Sequence, residues 1–200
     1  TTTGTQGFTT DARAKLKLPS AVGRLNYKFD NGSALSGRLF LTQKATNHEG
    51  NDDFLAWGAA LGGKYQVAEN TLLRFDYNHI KGDTKNVLWS NYAYVFDVNG
   101  EMKPNEFDVV TLGLTQKITP KIRSTLGFGY MRANTDNHFA DLVRNDLTQN
   151  KELKEGWINM FYNPVKPINL GVEYMYGERK TFDDQKGIDN RVNFTAIYDF

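Results

Sequence analysis

Side chains alternate with period two through most of this 200-residue chain, in about ten segments each bounded by Gly, Pro, Asn or Asp, the signature of β-strands with one apolar and one polar face. Helix-period segments are almost absent. In the clearest strand, residues 8–18, Phe8, Thr10, Ala12, Ala14, Leu16 and Leu18 fall on one face and Thr9, Asp11, Arg13, Lys15 and Lys17 on the other. Further strands are predicted at 21–29, 34–43, 54–67, 71–81, 107–117, 122–133, 156–162, 168–179 and 191–200. All five prolines, at 19, 104, 120, 164 and 167, lie in connections, as expected of a residue that cannot donate to a strand ladder. The pattern predicts an all-β, antiparallel up-and-down barrel of about ten strands, a single domain over residues 1–200.

From the second strand onward, short turns (30–33, 68–70, 118–121, 163–167) alternate with long loops (44–53, 82–106, 134–155, 180–190). Transmembrane barrels of outer membranes show this asymmetry, with short periplasmic turns and long external loops. One link breaks the rule: Pro19-Ser20 stands where an outer loop is expected. It reads either as one short outer loop or as the joint of a shortened or rebuilt barrel. No apolar run approaches the roughly 18 to 20 residues of a helical span. With no Cys and a net charge of +1, disulfides and Cys-based metal sites are excluded, and a dedicated nucleic-acid binder is disfavoured. The polar opening, residues 1–6, lacks a signal-like segment, so a mature, processed protein or one never exported is expected.

The placement of the 26 aromatic residues favours lipid over a soluble core. On the apolar face, Tyr27, Phe29, Tyr65, Tyr162, Tyr198 and Phe200 fall near the short-turn end, and Trp57, Tyr77, Phe128, Tyr130, Tyr174 and Tyr176 near the other. Between them lie Leu39, Ala59, Leu61, Leu73, Leu112, Leu126, Ile158, Leu170, Val172 and Ala196. Two aromatic girdles around an aliphatic band suit a bilayer. A lipocalin-like soluble barrel remains the alternative.

The opposite face would line a lumen. Its basic residues are Arg13, Lys15, Lys17, Arg24, Lys28, Arg38, Lys64, Arg74, Arg123, Arg179 and Arg191, and its acidic ones Asp11, Asp76, Glu155, Glu173 and Asp199. This basic excess favours anions. Cross-strand pairing that seals the interior is the rival, opposed by small inward groups at Ala56, Gly58, Ala60, Gly62, Gly127 and Gly129. The aromatic loop 86–99 is expected to fold against the mouth or inward, and residues 138–148 to form a short surface helix.

Support for catalysis is thin. His79 with Asp83 is the one rim pairing that suggests a hydrolase, and an interfacial His beside a solvated loop Asp is the favoured explanation. No nucleophile elbow, phosphate loop, dinucleotide fingerprint or other cofactor motif occurs, and no metal-ligand spacing is present. Asp52 and Asp53, or Asp183 and Asp184, could hold a divalent ion between lipopolysaccharide headgroups, or simply be solvated.

Several C-terminal stretches resemble the DcaP-like family of Gram-negative outer-membrane porins: residues 149–153 (QNKEL), 164–167 (PVKP), 170–174 (LGVEY), 176–179 (YGER) and 189–193 (DNRVN). Residues 115–118 (TQKI) and 129–132 (GYMR) agree, and residues 7–13 (GFTTDAR) are similar to the start of that family's barrel. The resemblance implies a bacterial outer-membrane location and a homotrimeric channel for small anionic, dicarboxylate-like solutes. It also implies contact with outer-membrane lipids and lipopolysaccharide, and no nucleic acid. Tyr198 and Phe200 resemble the C-terminal signal read by the barrel-assembly machinery. Family barrels have about sixteen strands and a preceding helical extension, more than this sequence holds. The pore-lining set expected from the charged face is Arg13, Lys15, Lys17, Arg24, Lys28, Arg38, Arg74, Asp76, Arg123, Glu173, Arg179 and Arg191. A closed structural or engineered barrel without conduction, and a rim-site hydrolase, are the alternative functions.

Overall fold

The computed structural model describes residues 14–15 (backbone only), 18–46, 52–85 and 91–199. In chain order its elements are β1 (Ala14–Lys15), β2 (Ala21–Lys28), β3 (Ala34–Thr46), β4 (Asp53–Ala68), β5 (Thr71–Lys81), β6 (Tyr94–Phe96), β7 (Met102–Pro104), β8 (Glu106–Thr119), β9 (Ile122–Ala133), α1 (His138–Leu142), β10 (Asn150–Tyr162), β11 (Ile168–Thr181) and β12 (Lys186–Tyr198). Ten strands form one antiparallel sheet in the order β1-β3-β4-β5-β8-β9-β10-β11-β12, with β2 also on β3; β6 and β7 form a separate hairpin. The strands from β3 onward in this sheet run to between 11 and 16 residues, enough for the roughly 9–11 residues of a tilted membrane crossing.

The link at Pro19-Ser20 is neither an outer loop nor a reversal of the chain. β1 pairs Ala14 with Thr46 and Lys15 with Ala45, and β2 pairs Ala21 with Leu41 along the same edge of β3. The chain advances from Lys15 to Ala21 while β3 recedes only from Ala45 to Leu41, so two residues are bulged out of one interrupted edge strand. Pro fits such a site because a bulge on an edge asks for no ladder donor. Ser20 Oγ ties the bulge to Thr42 Oγ1 at 2.8 Å. The ten strands of the sheet therefore occupy nine positions.

Period two predicts the faces correctly but not the strand lengths. β10 starts at Asn150 and β12 at Lys186, several residues before their apolar alternation begins. These extensions are tied by charge: Lys154 Nζ lies 3.6 Å from Glu152 and 3.7 Å from Glu178, and Lys186 Nζ lies 3.7 Å from Glu178. A strand that rises above the bilayer no longer needs an apolar face, so its signal disappears there.

One face of the sheet is an unbroken apolar surface. Leu25, Leu39, Leu61, Leu126, Ile158, Val172 and Val192 are all exposed on it, with Tyr27, Tyr65, Tyr77, Phe128, Tyr174 and Tyr198. So large a patch marks a lipid-facing wall. Both edge strands, β2 and β12, are exposed almost throughout. Within a bilayer their edges must be paired with further strand, because no water is there to satisfy backbone groups. The buried core lies on the other face, under the long loops.

Candidate functional site

Antiparallel register lays the inward side chains in rows across the sheet. One row reads Lys28, Ala34, Lys64, Arg74, Gly113, Gly127, Trp157, Met175 and Arg191. In an adjacent part of the wall, Arg24 stands directly opposite Arg38. Like charges opposed in this way destabilise a sheet, so the pairs Arg24–Arg38 and Lys64–Arg74 oppose stability.

These residues surround a cavity of about 770 Å³, lined by Arg24, Lys28, Arg38, Lys64 and Arg74 with Asp76 as its one carboxylate. Asp76 is bound to Arg38 and also accepts from Asn78 Nδ2. Arg24 Nε donates to Asn26 Oδ1 at 2.9 Å and Ser36 Oγ at 3.2 Å, and Arg74 Nη1 to Thr115 Oγ1 at 3.1 Å. Among the described residues none of Arg24, Lys28, Lys64 and Arg74 has a carboxylate at ion-pair distance. Thr125 and Trp157 line the same cavity, so the sheet curls enough for β2 and β10 to share it.

The other expected lining residues divide. Arg123 lies on the inner face toward the short-turn end, its guanidinium 4.3 Å above the Phe161 ring. Glu173 faces inward between Asn159 and Asn193, whose Nδ2 groups donate to its two oxygens at 3.2 Å each. Arg191 contacts Met175 Sδ at 2.8 Å. Arg179 faces inward but clamps a loop, donating to the carbonyls of Leu147 and Thr148 at 3.1 and 2.9 Å. Lys15, of which only the backbone is described, stands opposite Ala45 on β3. Arg13, Lys17 and Phe200 lie outside the described residues, and Tyr198 is exposed on the outer face.

Above the cavity the long loops turn inward. Val95 of the β6–β7 hairpin and Phe139, Ala140 and Val143 at α1 pack with Phe182 onto the inward residues Ile80, Phe107, Met131 and Ala133. Ala93, Tyr94, Phe96 and Met102 pack against Phe54. The expected inward fold of the aromatic loop is thus seen for its described part. The expected short helix forms over His138–Leu142, capped by Asn137 through Ala140 N; His138, Asp141 and Leu142 are exposed at the surface while Phe139 and Ala140 are buried in the cap. Buried amides lock the two loops together. Asn91 Nδ2 donates to the Asn150 carbonyl at 2.9 Å while Asn150 N and Nδ2 donate to Asn91 Oδ1 at 3.0 and 2.7 Å. Gln149 Oε1 accepts from Tyr92 N at 2.7 Å, and Asn105 Nδ2 donates to the Tyr92 carbonyl at 3.0 Å. Loop amides read as solvated in a sequence, so no signal marks these.

The space expected beside the small inward residues is partly filled. The Phe40 ring covers Gly58 and the Trp157 ring covers Gly127, each where a Cβ would clash, and the Asp76 carboxylate sits over Gly62. Gly129 stays open, its nearest neighbour being Glu155 Cβ at 4.0 Å. The rim pairing is also corrected. His79 is on the outer face beside Trp57, its Nδ1 2.9 Å from Asp108 and its Nε2 3.9 Å from Glu106. Asp83 is buried and engages Lys44 at 3.7 Å. The acidic pairs are split among separate partners, Asp52 accepting from Met102 N at 2.7 Å and Asp53 from Gln43 Nε2 at 2.7 Å. Asp183 accepts from Thr181 Oγ1, and Asp184 pairs with Lys151 and Lys180. No metal-holding cluster occurs among the described residues.

The family described as DcaP outer membrane protein matches residues 12–200. The chain belongs to the DcaP family. Among solved structures it resembles the outer membrane channel DcaP of Acinetobacter baumannii at 34% identity and a TM-score of 0.87, covering 94% of this chain and 53% of that one. The chain therefore spans about half the length of that DcaP channel. The NanC porin (12% identity, TM-score 0.49, 90% of this chain and 93% of that one) and the Pseudomonas putida toluene transporter TodX (12%, 0.48, 90% and 60%) also match. No curated protein matches. Membership of the DcaP family and the exposed apolar face place the chain in the bacterial outer membrane.

Proposed function

We propose that this chain forms the wall of a passive channel that prefers small anions, with dicarboxylate-like solutes the class suggested by the DcaP family. The observation that carries the reading is the cavity bounded by Arg24, Lys28, Lys64 and Arg74, none of which has a carboxylate at ion-pair distance among the described residues, its one lining carboxylate, Asp76, being paired with Arg38. Two of its neighbouring pairs cost stability, and a field that concentrates anions in a low-dielectric-walled cleft is the return on that cost. Arg38 and Asp76 act as a fixed pair, Glu173 and Arg191 line the far wall, and Arg179 holds the cap that narrows the path. The single transmembrane domain, a homotrimer, and assembly through Tyr198 and Phe200 by the barrel-assembly machinery belong to the same reading. Contact with lipopolysaccharide would fall on the outer charged row of Asp108, Arg132, Glu152, Lys180 and Lys186.

The test is the reversal potential in a KCl gradient across a planar bilayer, comparing the wild-type chain with Arg24→Gln/Lys64→Gln/Arg74→Gln. Chloride preference that weakens in the variant is expected; equal selectivity refutes the assignment. A second reading, a sealed scaffold, draws on the rings laid over Gly58 and Gly127 and on the packed cap. Absence of current from a correctly folded barrel would establish it.

A further inference from the structure

Charge on the inner wall is sorted by strand. The β2–β5 side carries Arg24, Lys28, Lys64 and Arg74 beyond the Arg38–Asp76 pair. Inward on β10–β12 stand Glu155, Glu173 and Asp189. Arg191 lies 3.8 Å from Asp189, and Arg179 is committed to loop carbonyls. Glu155 and Glu173 have no cation at ion-pair distance among the described residues. Between the two sides, β8 and β9 present only Thr111, Gly113, Thr115, Thr125, Gly127 and Gly129 at these heights.

The opposed charges are held in place. Arg74 donates to Thr115 Oγ1 at 3.1 Å, Thr115 and Thr125 share a hydroxyl bond of 2.9 Å, and Asn159 Oδ1 accepts from Thr125 N at 3.2 Å. Asn159 then donates to Glu173, which Asn193 secures from β12. A continuous polar ladder thus begins on a guanidinium and ends on a carboxylate. The shared lining of Arg24 and Trp157, the latter next but one to Glu155, shows that the sheet curls the two sides around one path. Fixed charges of opposite sign flanking a low-dielectric-walled path set up a field across it.

We propose that this transverse field selects solutes bearing both signs of charge, small amino acids with two carboxylates foremost. It turns their carboxylates toward Arg24, Lys64 and Arg74 and their ammonium toward Glu155 and Glu173. The inference rests on the channel reading above. A simple dianion gains at the basic side and is repelled at the other, whereas an amino dicarboxylate gains at both.

Aspartate and succinate, four-carbon dicarboxylates that differ by the ammonium, provide the probe. Their entry into proteoliposomes is measured by swelling for the wild-type chain and for Glu155→Gln/Glu173→Gln, alongside the KCl reversal potential. The aspartate-to-succinate ratio is expected to fall by about threefold in the double variant, while chloride preference rises. Glu155→Gln alone, at an exposed site with no side-chain hydrogen bond among the described residues, is expected to shift the ratio in the same direction and guards against a folding defect. An unchanged ratio in a conducting, chloride-preferring channel overturns this inference alone. A folded chain that carries no current overturns it together with the channel reading.

Discussion

In the cap, polar groups are buried and bonded: Asn91, Gln149, Asn150 and Asn105 are at most 4% exposed; Asn91, Gln149 and Asn150 are hydrogen-bonded across the two loops, and Asn105 to the Tyr92 carbonyl within its own loop. A few residues below, Lys28, Lys64 and Arg74 stand exposed in one row, and Lys64 faces Arg74 as a like charge. The difference follows from water. Where the loops dry the interior, an amide left wholly unpaired would cost its full desolvation, so each of these side chains has at least one partner. Where the wall stays wet, screening makes an unmatched cation cheap, and charge can be placed for the solute.

The largest expected effect is in the cap. Phe107→Ala removes a fully buried ring at the centre of its cluster, and about 3–5 kcal/mol of stability is expected to go with it. Urea unfolding of the folded barrel, followed by Trp fluorescence, measures the loss; a change as small as that of a wall residue would break the distinction between dry cap and wet wall. Asn91→Ala removes the shared acceptor of Asn150 N and Nδ2 and is expected to cost about 1–3 kcal/mol in the same assay.

On the wall the sign is expected to reverse. Lys64→Glu replaces a like-charge neighbour of Arg74 with an opposite one, which should stabilise the sheet by about 0.2–1 kcal/mol while reducing chloride preference in a KCl gradient. A destabilised variant would show that Lys64 is part of the packing.

The smallest effect belongs to the rim. Asp184, in the β11–β12 turn at φ 65°, has its carboxyl held below the ordinary value by Lys180 first and then Lys151. The folded form therefore binds this proton less readily than the unfolded one. The contribution is present above the usual carboxylate range and is lost as pH falls through the lowered value. It is small because the group is exposed. Asp184→Asn should lower the unfolding midpoint slightly near neutral pH and leave no difference in acid.

Local pattern determined the existence of the long sheet strands from Ala21 onward, though not their full lengths or the β6–β7 hairpin, together with the sidedness of Arg24 through Arg191, the lipid-facing girdles and the inward turn of the aromatic loop. Pleating alone assigns a side to every residue once a strand exists. Only the tertiary structure decided that Pro19-Ser20 interrupts one edge strand, since register depends on a partner far along the chain. It likewise decided that Arg179 serves the cap, that His79 meets Asp108 and not Asp83, and that Gly58 and Gly127 lie under rings. Burial of loop amides, pairing of charges and the sorting of Arg74 from Glu173 are properties of neighbours brought together across strands, and period two carries no information about which neighbours those are.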